Sequence, residues 1–321
     1  MNLDSIQTVA VLGLGTMGHG IAQTFAAAGY QVRGFDDHPA ARESLHARVR
    51  KNLLAFVESG LFPAAQVEPT LARISVHDNE RETVSGVQFV TEAVAEDLKI
   101  KQAWFARIEQ LVDTKTILAS NSSSFPISQS GAQLKHPERA LVTHWFNPPH
   151  LVPLVEIVPS PATSEATTLT TLALLQRIGK QPIRLRKELP GFLVNRIQVA
   201  LMREIWDLLE QEVASAEEID AALRTSVGFR LAAVGPLEVH DFGGLDIQTT
   251  VFRNLVPEIR SNLEVPQRVA QLVADGHLGA KSGRGFQDYP PEKIAARQQR
   301  RDALFLSLIK LLYPESVKSG S

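Results

Sequence analysis

Residues 9–29 read VAVLGLGTMGHGIAQTFAAAG: an apolar strand-like run, a break carrying Gly13, Gly15 and Gly18, then a helix-forming stretch. Each glycine answers a different steric demand. Gly13 permits the tight turn out of the strand, Gly15 lets a pyrophosphate approach the backbone, and Gly18 lets helix pack closely on strand. The turn also holds Thr16 and Met17, and its free N–H groups would face a phosphate from a helix N-terminus. A G-x-G-x-x-G triplet alone is a weak signal. Here a strand precedes it, a helix follows, and the second strand, QVRGF at 31–35, ends in Asp36 and Asp37. Asp36 stands where a carboxylate would accept the adenine ribose 2′-hydroxyl, and its charge, seconded by Asp37, would repel a 2′-phosphate. These residues point to NAD rather than NADP. A glycine turn with a helix-capping aspartate is the plainer reading, and it leaves the concurrence of all these elements unexplained.

Outward from that motif the chain alternates short β-rich runs with amphipathic stretches as far as Lys187. The predicted strands are TVAVL, QVRGF, RISV, VQFVTEAV, TILAS, ALVTHWF, PLVEIV and PIRLR. Such alternation predicts an α/β Rossmann-type domain with a mainly parallel sheet covered on both faces. One long helix is expected after the second strand. Pro39 suits its first turn, Leu45, Val49, Leu53 and Phe56 share a face, and Gly60 is its stop. After KELPG at 187–191 the β signal fades into helical periodicity, with Ser215 and Glu218 spaced as a capping box. The expected division is an NAD-binding domain over residues 1–189 and an all-α C-terminal domain over 190–321.

Composition narrows the partners. The chain has 321 residues, 44% apolar and 21% charged, with a net charge of −2. That balance gives no electrostatic reason to expect nucleic acid or a membrane surface. With no cysteine, disulfides, thiolate metal sites and a cysteine nucleophile are excluded, and no metal is expected. No apolar run approaches the ~18 residues of a membrane span, and MNLDSIQ lacks the features of a signal peptide. A cytoplasmic protein with a small-molecule substrate is expected.

The chemical end is marked by Glu156, an acid inside the otherwise apolar run LVEIV. A buried carboxylate is costly unless paired. A nicotinamide enzyme that oxidises an alcohol needs a base for the hydroxyl proton, and histidine is suited to it. Of nine histidines, His144 and His150 lie just upstream of Glu156. His144 ends ALVTHWF, a late strand expected to finish near the cofactor crevice, and Glu156 lies on the next strand beyond Asn147-Pro148-Pro149. The expected pair is His144 with Glu156, the carboxylate setting the tautomer and raising basicity. His150, in the loop, is the weaker candidate. On these residues alone, a core His–Glu pair that merely joins two strands stays open.

GLGTMG at 13–18, EAVAEDLKIK at 92–101, SNSSSFPI at 120–127, HWFNPP at 144–149, PLVEIV at 153–158, PGFLVNRI at 190–197, GPLEVHDFGGLD at 235–246 and GAKSGRGF at 279–286 occur in that order. Over nearly its full length the chain thus resembles the L-3-hydroxyacyl-CoA dehydrogenase family, including its lambda-crystallin branch. The resemblance implies that His144 is the catalytic base and Glu156 its partner. It implies that Ser123 contacts the substrate hydroxyl and nicotinamide region and that Asn195 completes the pocket. Glu96, Lys101, Asn147 and Lys281 match positions that contact NAD. It further implies a homodimer joined through the helical domain, and a place in fatty acid metabolism.

Three functional readings follow. The first is oxidation at C3 of a 3-hydroxyacyl-CoA, such as 3-hydroxybutyryl-CoA, to the 3-keto product. The second is the same chemistry on a non-thioester hydroxy acid or small polar alcohol of the L-gulonate, carnitine or pyridine-carboxylate type. HWFNPPH with VPLVEIV is similar to that branch, and ARESLHARVRKNLLAFVESG offers Arg42, Arg48, Arg50 and Lys51 rather than a dense lysine tract for coenzyme phosphates. The third is a non-catalytic NAD-binding structural protein, which would have no need of His144, Glu156, Ser123 and Asn195 together.

Overall fold

The computed structural model describes residues 3–313. Its sheet contains eight strands in the order β3-β2-β1-β4-β5-β6-β7-β8. They are β1 (Thr8–Leu12), β2 (Gln31–Phe35), β3 (Ile74–Val76), β4 (Phe89–Glu92), β5 (Ile117–Ser120), β6 (Ala140–Trp145), β7 (Leu154–Pro159) and β8 (Gln181–Arg184). Every pairing is parallel except β6 with β7, which is antiparallel. Strand alternation sends β1 side chains to opposite faces. Val9 and Val11 join Ile21, Ala22 and Phe25 of helix Gly18–Ala27. Ala10 and Leu12 join Trp104, Phe105 and Ile108 of helix Leu98–Ile108. Both faces are therefore dry, as the near-continuous apolar strands require.

This topology places the chemistry. Strand β1 lies between β2 and β4, so successive crossovers leave it in opposite directions and open a crevice at its C-terminal end. The C-terminal ends of β1, β2, β4, β5 and β6 share that edge because those strands are parallel. Asp97 begins helix Leu98–Ile108 by accepting the N–H of Ile100 at 3.0 Å.

The single helix expected after β2 is instead two, Pro39–Glu43 and Leu45–Glu58. The interruption falls at Ser44, where ψ is −8° and the hydroxyl shares the Ala40 carbonyl with the residue's own N–H, at 2.6 and 3.1 Å. The face is as expected for Leu45, Val49 and Leu53, which are buried, whereas Phe56 is only partly covered.

Of the described residues, those up to 195 and those from 300 on form one compact unit, and residues 196–299 a second. The expected boundary at 189/190 differs from this division because the N–H groups of Leu193 and Val194 donate to Glu156 on β7. The second unit is helical, with the Ser215–Glu218 capping box formed as read. Among the described residues no helix is long and apolar enough to cross a membrane.

Candidate active site

The loop after β1 is built as its glycines require. Gly13 has φ +94°, a conformation other residues resist, and a Cβ there would lie 2.3 Å from the Ala93 carbonyl oxygen. A Cβ on Gly18 would lie 1.7 Å from the Gly13 oxygen, so only glycine lets the helix start this close to the strand. At Gly15 a Cβ would meet nothing within 4 Å: the space beyond it is open. The N–H groups of Gly15, Thr16 and Met17 have no acceptor among the described residues. Open space with unspent donors at a helix N-terminus fits a pyrophosphate. Asp36 sits at the tip of β2, its Oδ2 accepting the N–H of Leu14 at 2.6 Å and its Oδ1 that of His38 at 2.9 Å. Its carboxylate is thus fixed beside the loop with lone pairs to spare for a ribose diol. Asp36→Ala is expected to weaken NADH binding about tenfold, the scale of a hydrogen bond to a charged group. Preference over NADPH should narrow similarly; titration of both nucleotides measures it, and an unchanged ratio would remove Asp36 as the ribose reader.

Between loop and dyad lies a network the sequence only half reveals. Glu92, fully buried at the end of β4, accepts from Lys101 Nζ at 2.7 Å, Ser120 Oγ at 2.5 Å and the Val94 N–H at 2.9 Å. Lys101 is 1% exposed and also lies 3.1 Å from Glu96, so its ammonium is spent on two carboxylates inside the fold. Glu96 in turn accepts the Ser122 hydroxyl at 2.7 Å and the N–H groups of Ser123 and Ser124 at 2.8 and 2.9 Å. Burial pushes the Glu96 carboxyl up, but Lys101, the Ser122 hydroxyl and the Ser123 N–H outweigh it and hold the group below its ordinary value. The result is a clamped serine loop. Its Ser123 backbone is held at both ends, since Asn195 Nδ2 donates to the Ser123 carbonyl at 3.0 Å, while the Ser123 hydroxyl has no partner among the described residues.

His144 and Glu156 face each other directly across the antiparallel β6–β7 ladder. Such opposite pairs bring side chains within reach. His144 Nδ1 lies 2.7 Å from Glu156 Oε2, with the ring 3% exposed and the carboxyl fully buried. Glu156 Oε1 accepts the N–H groups of Leu193 and Val194 at 3.2 and 2.8 Å. Two backbone N–H donors thus hold Oε1 and leave Oε2 for the His144 ring. A carboxylate partner assigns the proton to Nδ1 and leaves the Nε2 lone pair for a reacting hydroxyl. The rings of Phe146 and Phe192 lie 4.4 and 5.4 Å from that of His144 and wall the imidazole.

His150 does not compete for this role. Burial, with the charges of His19, Lys180 and Arg301, pushes its pKa down to about 3, and among the described residues its Nδ1 has no hydrogen-bond partner. Lys180 Nζ donates to the carbonyls of Pro149 and Val152 at 2.6 and 2.9 Å and so ties down the turn that follows His144. Asn147 is exposed at the end of β6. Lys281 belongs to the second unit, exposed on the turn Ala280–Ser282 that the Gly279–Arg284 bridge closes.

Two supporting residues escaped the sequence reading. Glu92 was hidden as the last letter of a strand, although an acid there carried the same signal as Glu156. Phe192 looked like one apolar residue among several in PGFLV.

With this geometry in place, the family comparisons are specific. The model for the NAD binding domain of 3-hydroxyacyl-CoA dehydrogenase matches residues 8–189, and that for its C-terminal domain matches 191–289. The 5-formyl-3-hydroxy-2-methylpyridine 4-carboxylate 5-dehydrogenase of Mesorhizobium japonicum is 33% identical over 309 residues, 96% of this chain and 98% of that protein. Lambda-crystallin of Oryctolagus cuniculus is 37% identical over 94% of this chain and 95% of its own. Among solved structures, an NAD+-dependent dismutase with the same pyridine-carboxylate dehydrogenase activity superposes with a TM-score of 0.89, at 33% identity over 96% of this chain and 98% of that one. The (S)-3-hydroxybutyryl-CoA dehydrogenase from Ralstonia eutropha superposes with a TM-score of 0.73, at 32% identity over 89% of this chain and all of that one.

Proposed function

This chain belongs to the 3-hydroxyacyl-CoA dehydrogenase family of NAD-dependent oxidoreductases, and from that premise we propose that it oxidises the hydroxyl of a small free hydroxy acid or polar alcohol rather than a coenzyme A thioester. The observation that carries the choice is the fate of the basic residues after β2. Arg42 donates to the Asp36 carbonyl at 2.6 Å and lies 3.6 Å from Asp78. Arg48 turns inward onto the carbonyls of Leu14, Gly15 and Ala41. Arg50 is ion-paired with Glu68. Of the four, Lys51 alone is left without an ion pair or carbonyl partner among the described residues, too little for the phosphates of a coenzyme. The full-length likeness to the pyridine-carboxylate dehydrogenase points the same way.

His144 takes the hydroxyl proton at Nε2, and the imidazolium formed faces Glu156, which stabilises it through Nδ1–H. The glycine loop and Asp36 would hold NAD, which would supply the hydride acceptor for the carbinol carbon. Ser123 offers its free hydroxyl to the substrate oxygen, and Asn195 and Glu96 hold the Ser123 backbone in place. A cytoplasmic location, one that supplies NAD, goes with this reading. A 3-hydroxyacyl-CoA is the second reading, favoured by the match of both family models.

The test is NADH formation with L-3-hydroxybutyryl-CoA, L-gulonate and L-carnitine separately, alongside titration with coenzyme A. No coenzyme A binding at millimolar concentration is expected. Micromolar binding, or turnover of the thioester alone, would restore the acyl-CoA reading.

The second unit carries the homodimer reading. Phe229 is 75%, Leu237 78% and Phe242 78% exposed, large apolar side chains of the kind a partner covers. A second copy is the proposed cover. Sedimentation at micromolar concentration should give twice the chain mass; a particle of single-chain mass would contradict it.

A further inference from the structure

We propose that Arg48 is a positioning residue for the dinucleotide pyrophosphate, holding the glycine loop from behind so that its N–H groups face the phosphates. The inference rests on the NAD-dependent reading and is independent of which alcohol is oxidised. Arg48, near the start of helix Leu45–Glu58, reaches under the loop. Its Nη2 donates to the Leu14 carbonyl at 2.7 Å and the Ala41 carbonyl at 2.8 Å, and its Nη1 to the Gly15 carbonyl at 3.1 Å. His19 Nδ1 lies 2.9 Å from the same Gly15 oxygen and supports it from the helix side. Among the described residues no carboxylate hydrogen-bonds the guanidinium, and its buried Nε has no partner.

A trans peptide unit is planar, with its C=O and N–H on opposite sides. Carbonyls of Leu14 and Gly15 turned toward Arg48 therefore turn the N–H groups of Gly15 and Thr16 away from it. Those N–H groups, with that of Met17, are the unspent donors beside the open space at Gly15. The cation thus works twice. It fixes the loop before ligand arrives, and it places a positive charge, held by carbonyls rather than by an ion pair, behind a site meant for two phosphates. Burial lowers the Arg48 pKa against the pull of Asp36, and the group stays a cation at any working pH. A merely structural arginine would hold the helix Pro39–Glu43 through Ala41 and have no consequence for phosphate.

Arg48→Met and Arg48→Lys, compared with wild type, separate these roles. NADH and ADP-ribose are titrated directly and adenosine by competition. For Arg48→Met the expected result is about a tenfold loss of affinity for NADH and ADP-ribose, with adenosine within twofold of wild type. Arg48→Lys, which keeps the charge but not the fork, should fall between. NADH affinity within twofold of wild type in Arg48→Met overturns the proposal, as does an equal loss for ADP-ribose and adenosine, which would report a collapsed loop. Should Arg48→Met fail to fold, Arg48→Lys decides: a three- to tenfold loss of ADP-ribose without loss of adenosine supports the role, and affinity within twofold overturns it. A wild-type protein that binds no NADH would overturn the cofactor assignment itself, and this proposal with it.

Discussion

His144→Ala is expected to lower the rate of NADH formation on the turned-over alcohol by about 10³-fold, within the range for loss of a general base, while NADH affinity stays within about twofold. The ring is walled by Phe146 and Phe192 and held through Nδ1, so no rotation brings another group into its place. His150 cannot substitute, since it is buried beside Lys180 and His19 with its pKa near 3. Steady-state rates with saturating NAD, read beside NADH titrations, check the split. A rate within tenfold of wild type would mean that proton removal is done elsewhere.

Glu156→Gln is expected to cost about 10²- to 10⁴-fold in turnover, although it changes one atom and no volume. The amide oxygen can still accept the N–H groups of Leu193 and Val194. The amide nitrogen must then point at His144 Nδ1, which becomes an acceptor, so the ring proton moves to Nε2. That tautomer has no lone pair for the substrate; in another histidine–carboxylate enzyme the same error costs about 10⁴-fold. The double variant with His144→Ala should be no slower than His144→Ala alone, because both changes remove one unit of function. Multiplicative losses, or unchanged turnover in Glu156→Gln, would return the pair to a structural tie between β6 and β7.

What the sequence made legible follows from the range of the forces involved. All eight strands could be read because their apolar runs are local patterns bounded by turn residues. The dyad was legible because an acid in a buried strand demands a partner, and adjacent strands joined by a short turn limit the choice. The helix after β2 was read too long because periodicity does not register the one-residue interruption at Ser44, whose hydroxyl bonds the Ala40 carbonyl. The inward course of Lys101 and Arg48 was not legible: both are long cations in polar stretches, and only the packed structure shows them turned onto Glu92 and onto the Leu14 and Gly15 carbonyls. Asn195 was assigned to the substrate pocket by resemblance, and the structure places its amide on the Ser123 carbonyl. Pattern marks the side chains able to do chemistry; tertiary contacts decide which atom of each is already spent.

The central claim is that His144 is a base poised by Glu156, and the state of its ring can be measured without any substrate. In ¹⁵N-histidine-labelled protein at mildly alkaline pH, above the usual imidazole range of about 6.5, the His144 signals are assigned by their loss in His144→Ala. The predicted spectrum has the proton on Nδ1 and an unprotonated Nε2, with the two exchanged in Glu156→Gln. A wild-type ring protonated at Nε2 would contradict the assignment of His144 as the base.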